Sequence, residues 1–230
     1  MNQLVTAIKS FDELSVRVLI KNTKWASWSE PSGKNALHYL CGAPVIDAAS
    51  SEASLRILKL LLRSGLDINS VHRIDEKNCN FFPATPLWYA YTRGRNEKLY
   101  KYLLKNGADP SHCWWAIGSY DDVVAGKLWL KHGAVIDEKP TLDELFLGSF
   151  AWRKNAFARW TLDQGADVNA RGPGGLTALM LAVKRKDEYA IKWLIAADAD
   201  PDRESEQGIS ARKIAEEKGP RRLLSLLHRH

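Results

Sequence analysis

The sequence has little cysteine and no long apolar run. Its three cysteines, Cys41, Cys79 and Cys113, are odd in number and far apart. They therefore speak against a disulfide framework and favour free thiols in a reducing compartment. A membrane-spanning helix needs about 18 consecutive apolar residues, and none are present. The first residues lack the basic stretch followed by an apolar stretch of a secretory leader. The sequence predicts a cytoplasmic protein.

Catalytic and metal-binding signatures are also missing. There is no G-x-S-x-G, no phosphate-cradling glycine loop after a strand and no kinase motif set. Potential metal ligands occur in two groups, at His72, Asp75, Glu76 and Cys79 and at His112 and Cys113. Neither group has C-x-x-C or H-x-x-x-H spacing, and zinc needs three or four convergent ligands. We therefore expect no catalysis, no metal and no cofactor.

A two-part pattern recurs along the chain in altered copies. Its first half is Thr-Pro-Leu-Trp-Tyr-Ala at Thr85–Ala90, and its second half is Gly-Ala-Asp-Pro at Gly107–Pro110. Further copies of either half lie at Asn35–Leu40, Gly65–Asn69, Gly133–Asp137, Gly165–Asn169, Thr177–Ala182 and Asp198–Asp202. The spacing from Trp160 to Trp193 is 33 residues. Self-similarity at such a period indicates a stacked array.

This pattern resembles the ankyrin repeat family, whose unit pairs a Thr-Pro-Leu-His-x-Ala helix start with a Gly-Ala-Asp turn. The resemblance implies an all-α solenoid of about seven stacked helix-turn-helix units with degenerate central repeats, similar to bacterial ankyrin proteins. Thr85 should cap a first helix, and Gly107 should end a second helix near Glu97–Lys105. His38 occupies the histidine position of the family and should bond to the backbone of a neighbouring turn.

The copies predict a single domain, residues 1–230, with two caps and five repeats between them. The N-terminal cap is 1–29, with two short helices within Leu4–Ile20, and the C-terminal cap is 205–230. The repeats are 30–71, 72–112, 113–138, 139–171 and 172–204. The first of them has an insertion at Pro44–Ser51 between its helices, and the second has a long turn at His72–Cys79.

The net charge of +6 and the pI near 9.2 favour encounter with acidic surfaces. The resemblance implies a concave binding face made by the turn tips and first helices. Carried over position by position, it nominates Phe81, Phe82, Arg93, Arg95, Tyr120, Trp152, Arg153, Lys154, Arg171, Lys184 and Arg185. Aromatic residues and arginine dominate interface hot spots. Alternatively, such cations only offset helix dipoles in water, and the aromatics fold back onto their own repeats.

The function expected is a non-catalytic protein–protein interaction that blocks or bridges an acidic partner. One alternative is an immunity or inhibitor protein that occludes the active site of a toxin or enzyme. Another is nucleic-acid binding, although Asp121–Asp122 and Asp187–Glu188 interrupt the continuous basic track that phosphates require. No membrane partner is expected, and a monomer is assumed.

Overall fold

The computed structural model describes residues 3–22, 28–76, 79–136 and 141–227. In these ranges the chain forms short helices, arranged in pairs, and one β-hairpin. The helices are α1 (Gln3–Lys9), α2 (Glu13–Leu19), α3 (Ala36–Gly42), α4 (Ala48–Arg63), α5 (Pro86–Thr92), α6 (Glu97–Lys105), α7 (Trp114–Ser119), α8 (Val123–Lys131), α9 (Leu142–Ala151), α10 (Asn155–Asp163), α11 (Ala178–Lys184), α12 (Glu188–Ala196), α13 (Ala211–Lys218) and α14 (Arg221–Leu226). The strands are β1 (His72–Glu76) and β2 (Cys79–Ala84). Among the described residues, no helix has the length and apolarity to cross a membrane.

The predicted helix signals at residues 85–107 are confirmed. Thr85 precedes α5, and its hydroxyl accepts a hydrogen bond from Trp88 N at 3.3 Å. Helix α6 runs from Glu97 to Lys105, and Gly107 has φ +86°. That left-handed conformation is cheap for glycine, so it ends the helix at this position.

Helix α4 begins inside the segment expected to separate two helices. The side chain of Asp47 accepts from Ser50 N at 2.7 Å, and Ser50 Oγ accepts from Asp47 N at 3.1 Å. This reciprocal cap, followed by Ala48 and Ala49, starts the helix early. Only residues 43–47 connect α3 to α4.

The long turn expected at His72–Cys79 forms part of an antiparallel hairpin. His72 pairs with Ala84, and Ile74 pairs with Phe82. The hairpin is tied to the preceding turn because Arg73 N donates to Ser32 O at 2.8 Å. The ankyrin-like helix array therefore carries one added β element.

The described residues divide into two compact units. The first unit comprises Met1–Cys113 and Leu128–Ala134. In it α1, α3 and α5 contact one another in order as a layer of first helices, and α2, α4 and α6 form a layer of second helices. Leu4, Leu37 and Leu87 are fully buried in the first-helix layer, so each helix pair completes its core only against its neighbours.

The second unit comprises Trp114–Lys127 and Val135–His230. Helices α7, α9, α11 and α13 contact one another in order, and α12 contacts α14 in the second-helix layer. Its core contains Phe146, Phe150, Ile191 and Leu194, all at most 1% exposed. The predicted boundaries of the two caps and the five repeats stay a prediction.

Candidate functional site

The hairpin of the first unit presents its two phenylalanines differently. Phe81 and Phe82 are adjacent on β2, so their side chains point to opposite faces of the hairpin. The Phe81 ring is 37% exposed, and the Arg73 guanidinium lies 4.9 Å from its centre. The Phe82 ring is half-buried and lies 5.2 Å from the ring of Trp88 on α5. Phe82 is therefore partly structural, whereas Phe81 is available on the surface.

The basic side chain of Arg93 lies near the Trp88 ring, which also contacts Phe82. Arg93 follows α5 directly and is exposed, and its guanidinium lies 5.7 Å from the centre of the Trp88 ring. Arg95 is exposed two residues later, with φ +46°. Trp88 was not nominated from the sequence, although it stands where the family has its histidine. Its unusual size at that position was the available signal.

The second unit contains an exposed tryptophan pair. The rings of Trp115 and Trp152 lie 5.6 Å apart and are 40% and 49% exposed. Trp115 lies so close to Gly148 that a Cβ there would come within 2.6 Å of its ring. Trp152 was nominated from the sequence and Trp115 was not, and the adjacent Trp114 lies in the core. Tyr120, just after α7, is 44% exposed.

The nominated cations of the second unit play different parts. Arg153 is exposed and Lys154 half-buried in the connection from α9 to α10, and Lys184 is exposed at the end of α11. The guanidinium of Arg185 instead donates to the carbonyls of Phe150 and Ala151, at 3.0 and 2.8 Å. Arg185 therefore holds the end of α9, and its charge is already engaged by the fold.

A groove of about 750 Å³ lies beside these residues in the second unit. Its apolar wall includes Trp115, Leu147 and Leu176, and Arg171 stands exposed at its edge. The groove also contains Asp143, whose carboxylate accepts from Asp167 N at 2.8 Å. The groove therefore combines an apolar wall with the charged groups of Asp143, Glu144 and Arg171.

His38 lies inside the fold and has a structural environment. Its Nε2 lies 3.1 Å from Ser70 O and 3.2 Å from Ala84 O, and its Nδ1 accepts from Asn35 N at 3.1 Å. The predicted bond to a neighbouring turn is confirmed. Burial lowers the pKa of His38 to about 4, so the ring is neutral at pH 7.

The residues considered as metal ligands in the sequence have other environments in the structure. Among the described residues, no group of three or more His, Cys, Asp or Glu side chains could hold a metal ion. His72 Nδ1 lies 2.7 Å from the Tyr89 hydroxyl, and Cys113 is buried. Burial raises the pKa of Cys113 to about 12, so it is a neutral thiol. The side chain of Cys79 lies outside the described part.

Comparison with known proteins gives matches in sequence and in fold. The ankyrin repeat family profile matches residues 84–115 and 174–206. An ankyrin repeat-containing protein of Treponema pallidum (strain Nichols) is 48% identical over 58 residues, which are 25% of this chain and 20% of that protein. The match thus spans about a fifth of the length of that curated relative.

Two solved structures resemble the whole chain in fold. The ankyrin repeat domain of Bcl-3, described as a unique member of the IkappaB protein family, has a TM-score of 0.71 and 17% identity, covering 99% of this chain and 98% of that one. The human ASB11 ankyrin repeat domain has a TM-score of 0.68 and 20% identity, covering 99% and 96%.

Proposed function

The chain is an ankyrin-repeat protein, and we propose that it acts by binding another protein rather than by catalysis. Ankyrin repeats generally mediate protein–protein interactions. The observation that carries the proposal is a ring contact at the surface of each unit, either between a half-buried ring and an exposed arginine or between two exposed rings. Trp88 with Arg93 represents it in the first unit, and Trp115 with Trp152 in the second.

These groups have the composition of an interface centre. Large rings bury much area at little cost in conformational entropy, and arginine adds charge-assisted hydrogen bonds. The Trp152 ring is held against the ring of Trp115, with the ring centres 5.6 Å apart, so it needs little rearrangement on binding. Preorganisation of this kind reduces the cost of association.

The partner proposed is a protein with an acidic surface. The net charge of +6, together with Arg93, Arg171 and Lys184 on exposed positions, favours such an encounter. The binding blocks or bridges the partner. Inhibition of an enzyme or toxin, as by an immunity protein, is one form of blocking. Measuring the activity of the partner with and without this protein distinguishes blocking from bridging. Cys41 and Cys113 are free, buried thiols, which fits the cytoplasmic location that we propose.

A charge-reversal comparison tests this proposal. The partner is first captured from native cells with the tagged full-length chain. Its affinity is then measured for the triple variant Arg153→Glu, Lys154→Glu and Lys184→Glu. We expect a loss on the order of tenfold or more, because opposed charges are replaced by like charges.

The matched control reverses three exposed lysines on second helices, at Lys105, Lys127 and Lys192. Its net charge changes equally, so we expect less than about a threefold effect from the change in overall field. Equal losses of affinity in both variants would show that the nominated cations do not contribute specifically to partner binding. Capture that disappears on nuclease treatment would favour nucleic-acid binding instead.

A further inference from the structure

A pocket in the first unit gathers three cationic side chains around two tyrosines. It has a volume of about 620 Å³, and its walls include Lys9, Lys34 and Arg93 together with Tyr39 and Tyr89. This size is in the range of small-ligand sites. The protein-binding proposal uses only Arg93 from this set, so the pocket needs a separate explanation.

Three separate elements bring the cations together. Lys9 is the last residue of α1, Lys34 lies just before α3, and Arg93 follows α5. The Lys34 ammonium lies 4.5 Å from the centre of the Tyr39 ring and 5.5 Å from that of Tyr89. The Lys9 ammonium lies 5.4 Å from the Tyr39 ring. The ammonium groups of Lys9 and Lys34 therefore both lie near the Tyr39 ring, and Lys34 also lies near Tyr89. The rings attract these cations electrostatically but do not neutralise their charge.

The positive charge of the pocket is not balanced by acids within the described part of the chain. No Asp or Glu lines the pocket, and none of the described carboxylates forms an ion pair with Lys9, Lys34 or Arg93. The Glu30 carboxylate, the acid in this region, accepts a hydrogen bond from the Tyr39 hydroxyl.

The nearby histidines respond to this environment. The pKa of His38 is lowered to about 4, mainly by burial and in smaller part by His72 and Lys34. The pKa of His72 is lowered by burial and then by the charge of Lys34. Both rings are neutral at pH 7, so the three cations of the pocket, counted together with the Glu30 carboxylate that bonds to Tyr39, leave an excess of two positive charges.

We propose that this pocket binds a phosphate monoester. A phosphate monoester carries about −1.5 to −2 charges at pH 7, and its three terminal oxygens accept hydrogen bonds from ammonium and guanidinium groups. A dianion matches the excess of two positive charges, whereas a single carboxylate leaves one uncompensated. The pocket is larger than a bare phosphate ion, and its uncharged wall of Gly42, Ala43 and Pro44 leaves room for the group that carries the ester. This site does not depend on the proposed protein-binding function.

Chemical-shift mapping on the ¹⁵N-labelled full-length protein at low ionic strength tests the assignment. The probes are inorganic phosphate, the peptide acetyl-Ala-phosphoserine-Ala-amide and the same peptide with glutamate in place of phosphoserine. We expect saturable shifts at the amides of Lys34, Tyr39, Gly42 and Arg93. The phosphoserine peptide should bind about fivefold or more tighter than the glutamate peptide. Tighter binding of inorganic phosphate than of the phosphopeptide would identify a site for the free ion and overturn the ester assignment.

A pair of double variants shows whether the pocket cations carry the binding. Lys34→Gln with Arg93→Gln should weaken phosphopeptide binding about tenfold. The control is Lys59→Gln with Arg73→Gln, two cations of the same unit that lie 5.3 and 4.9 Å from the rings of Tyr102 and Phe81, outside the pocket. It should change binding less than about twofold.

Folding of the pocket variant is checked by its melting temperature without ligand. This temperature should stay close to that of wild type, because the relieved repulsion between like charges offsets the lost contacts of Lys34 and Arg93 with the rings. The proposal is overturned by equal affinity for both peptides, by equal losses in both double variants, or by shifts that do not saturate.

Discussion

At the scale of single residues, two asparagines join consecutive turns in the same way. Asn69 accepts a hydrogen bond from Asp109 N at 2.8 Å and donates to Gly107 O at 3.3 Å. Asn169 makes the equivalent pair of bonds to the turn at Asp198–Asp200, at 2.7 and 3.3 Å. The sequence pattern showed that these asparagines recur. Their partners could not be read from it, because they lie 29 to 40 residues away and depend on stacking.

Replacing one of these asparagines tests the role of the turn-to-turn bonds. Asn169→Ala removes one donor and one acceptor, and we expect the free energy of unfolding to fall by about 1–2 kcal/mol. The control is Asn106→Ala, since within the described part of the chain the Asn106 side chain bonds to Tyr102 O in the preceding helix rather than to another turn, and we expect a cost below about 0.5 kcal/mol. Urea denaturation measures both. Equal effects would mean that the asparagine bonds do not join the turns energetically.

Protonation of His38 should couple stability to pH. Its folded pKa of about 4 is below the ordinary value of 6.5, so the unfolded chain binds a proton at a higher pH than the folded protein. Stability is therefore fully present above about pH 6.5 and is lost as the pH falls toward 4. The shift corresponds to about 3 kcal/mol over this interval.

Urea denaturation of wild type and of His38→Gln between pH 7 and 4 measures this contribution. The variant should be less stable at pH 7, because its side chain does not reproduce the ring's bonds, but its stability should fall less with pH. Parallel pH profiles for the two proteins would show that another group is responsible.

At the scale of elements, helices were easier to predict than strands. The boundaries of α6 and the cap of α5 followed from helical spacing, Thr85 and Gly107, all local signals. Strand β1 contains only one apolar residue, Ile74, and so lacks a clear alternating pattern. It forms because β2 pairs with it while Phe82 packs against Trp88. Such tertiary contacts decide strand formation more than local preference does.

The turn after α5 requires a glycine to approach α3. A Cβ on Gly94 would lie 2.1 Å from Cys41 O and 3.3 Å from Ala43 O, both of them backbone atoms. Because these atoms cannot move without shifting α3, we expect Gly94→Ala to cost about 2–3 kcal/mol in unfolding free energy.

Gly172→Ala is the control for this packing. Its added Cβ would have only ordinary contacts, at 3.5 and 3.6 Å, and Gly172 has φ −87°. We expect a change below about 0.5 kcal/mol. Thermal or urea unfolding distinguishes the two, and a Gly94→Ala protein as stable as wild type would contradict the close approach.

At the scale of the whole molecule, the sequence predicted the ankyrin fold and pointed to several of the exposed aromatic and basic groups. It could not separate free groups from engaged ones. Arg185 and Lys184 are adjacent and both positively charged, yet the guanidinium of Arg185 is held by two carbonyls of α9. Trp115 was missed for the converse reason, since its position beside Gly148 in another helix cannot be read from the local sequence. Both outcomes are set by neighbouring repeats rather than by local sequence.

The most direct test of protein binding through these groups is site-specific photo-cross-linking in native cells. The cross-linking residue p-benzoylphenylalanine replaces Phe81 or Trp152, or Tyr189 as a control, an exposed aromatic residue on second helix α12. We predict one protease-sensitive cross-linked product shared by positions 81 and 152 and absent at position 189. Products at position 189 alone, or the same products at all three positions, would contradict binding through the nominated surfaces.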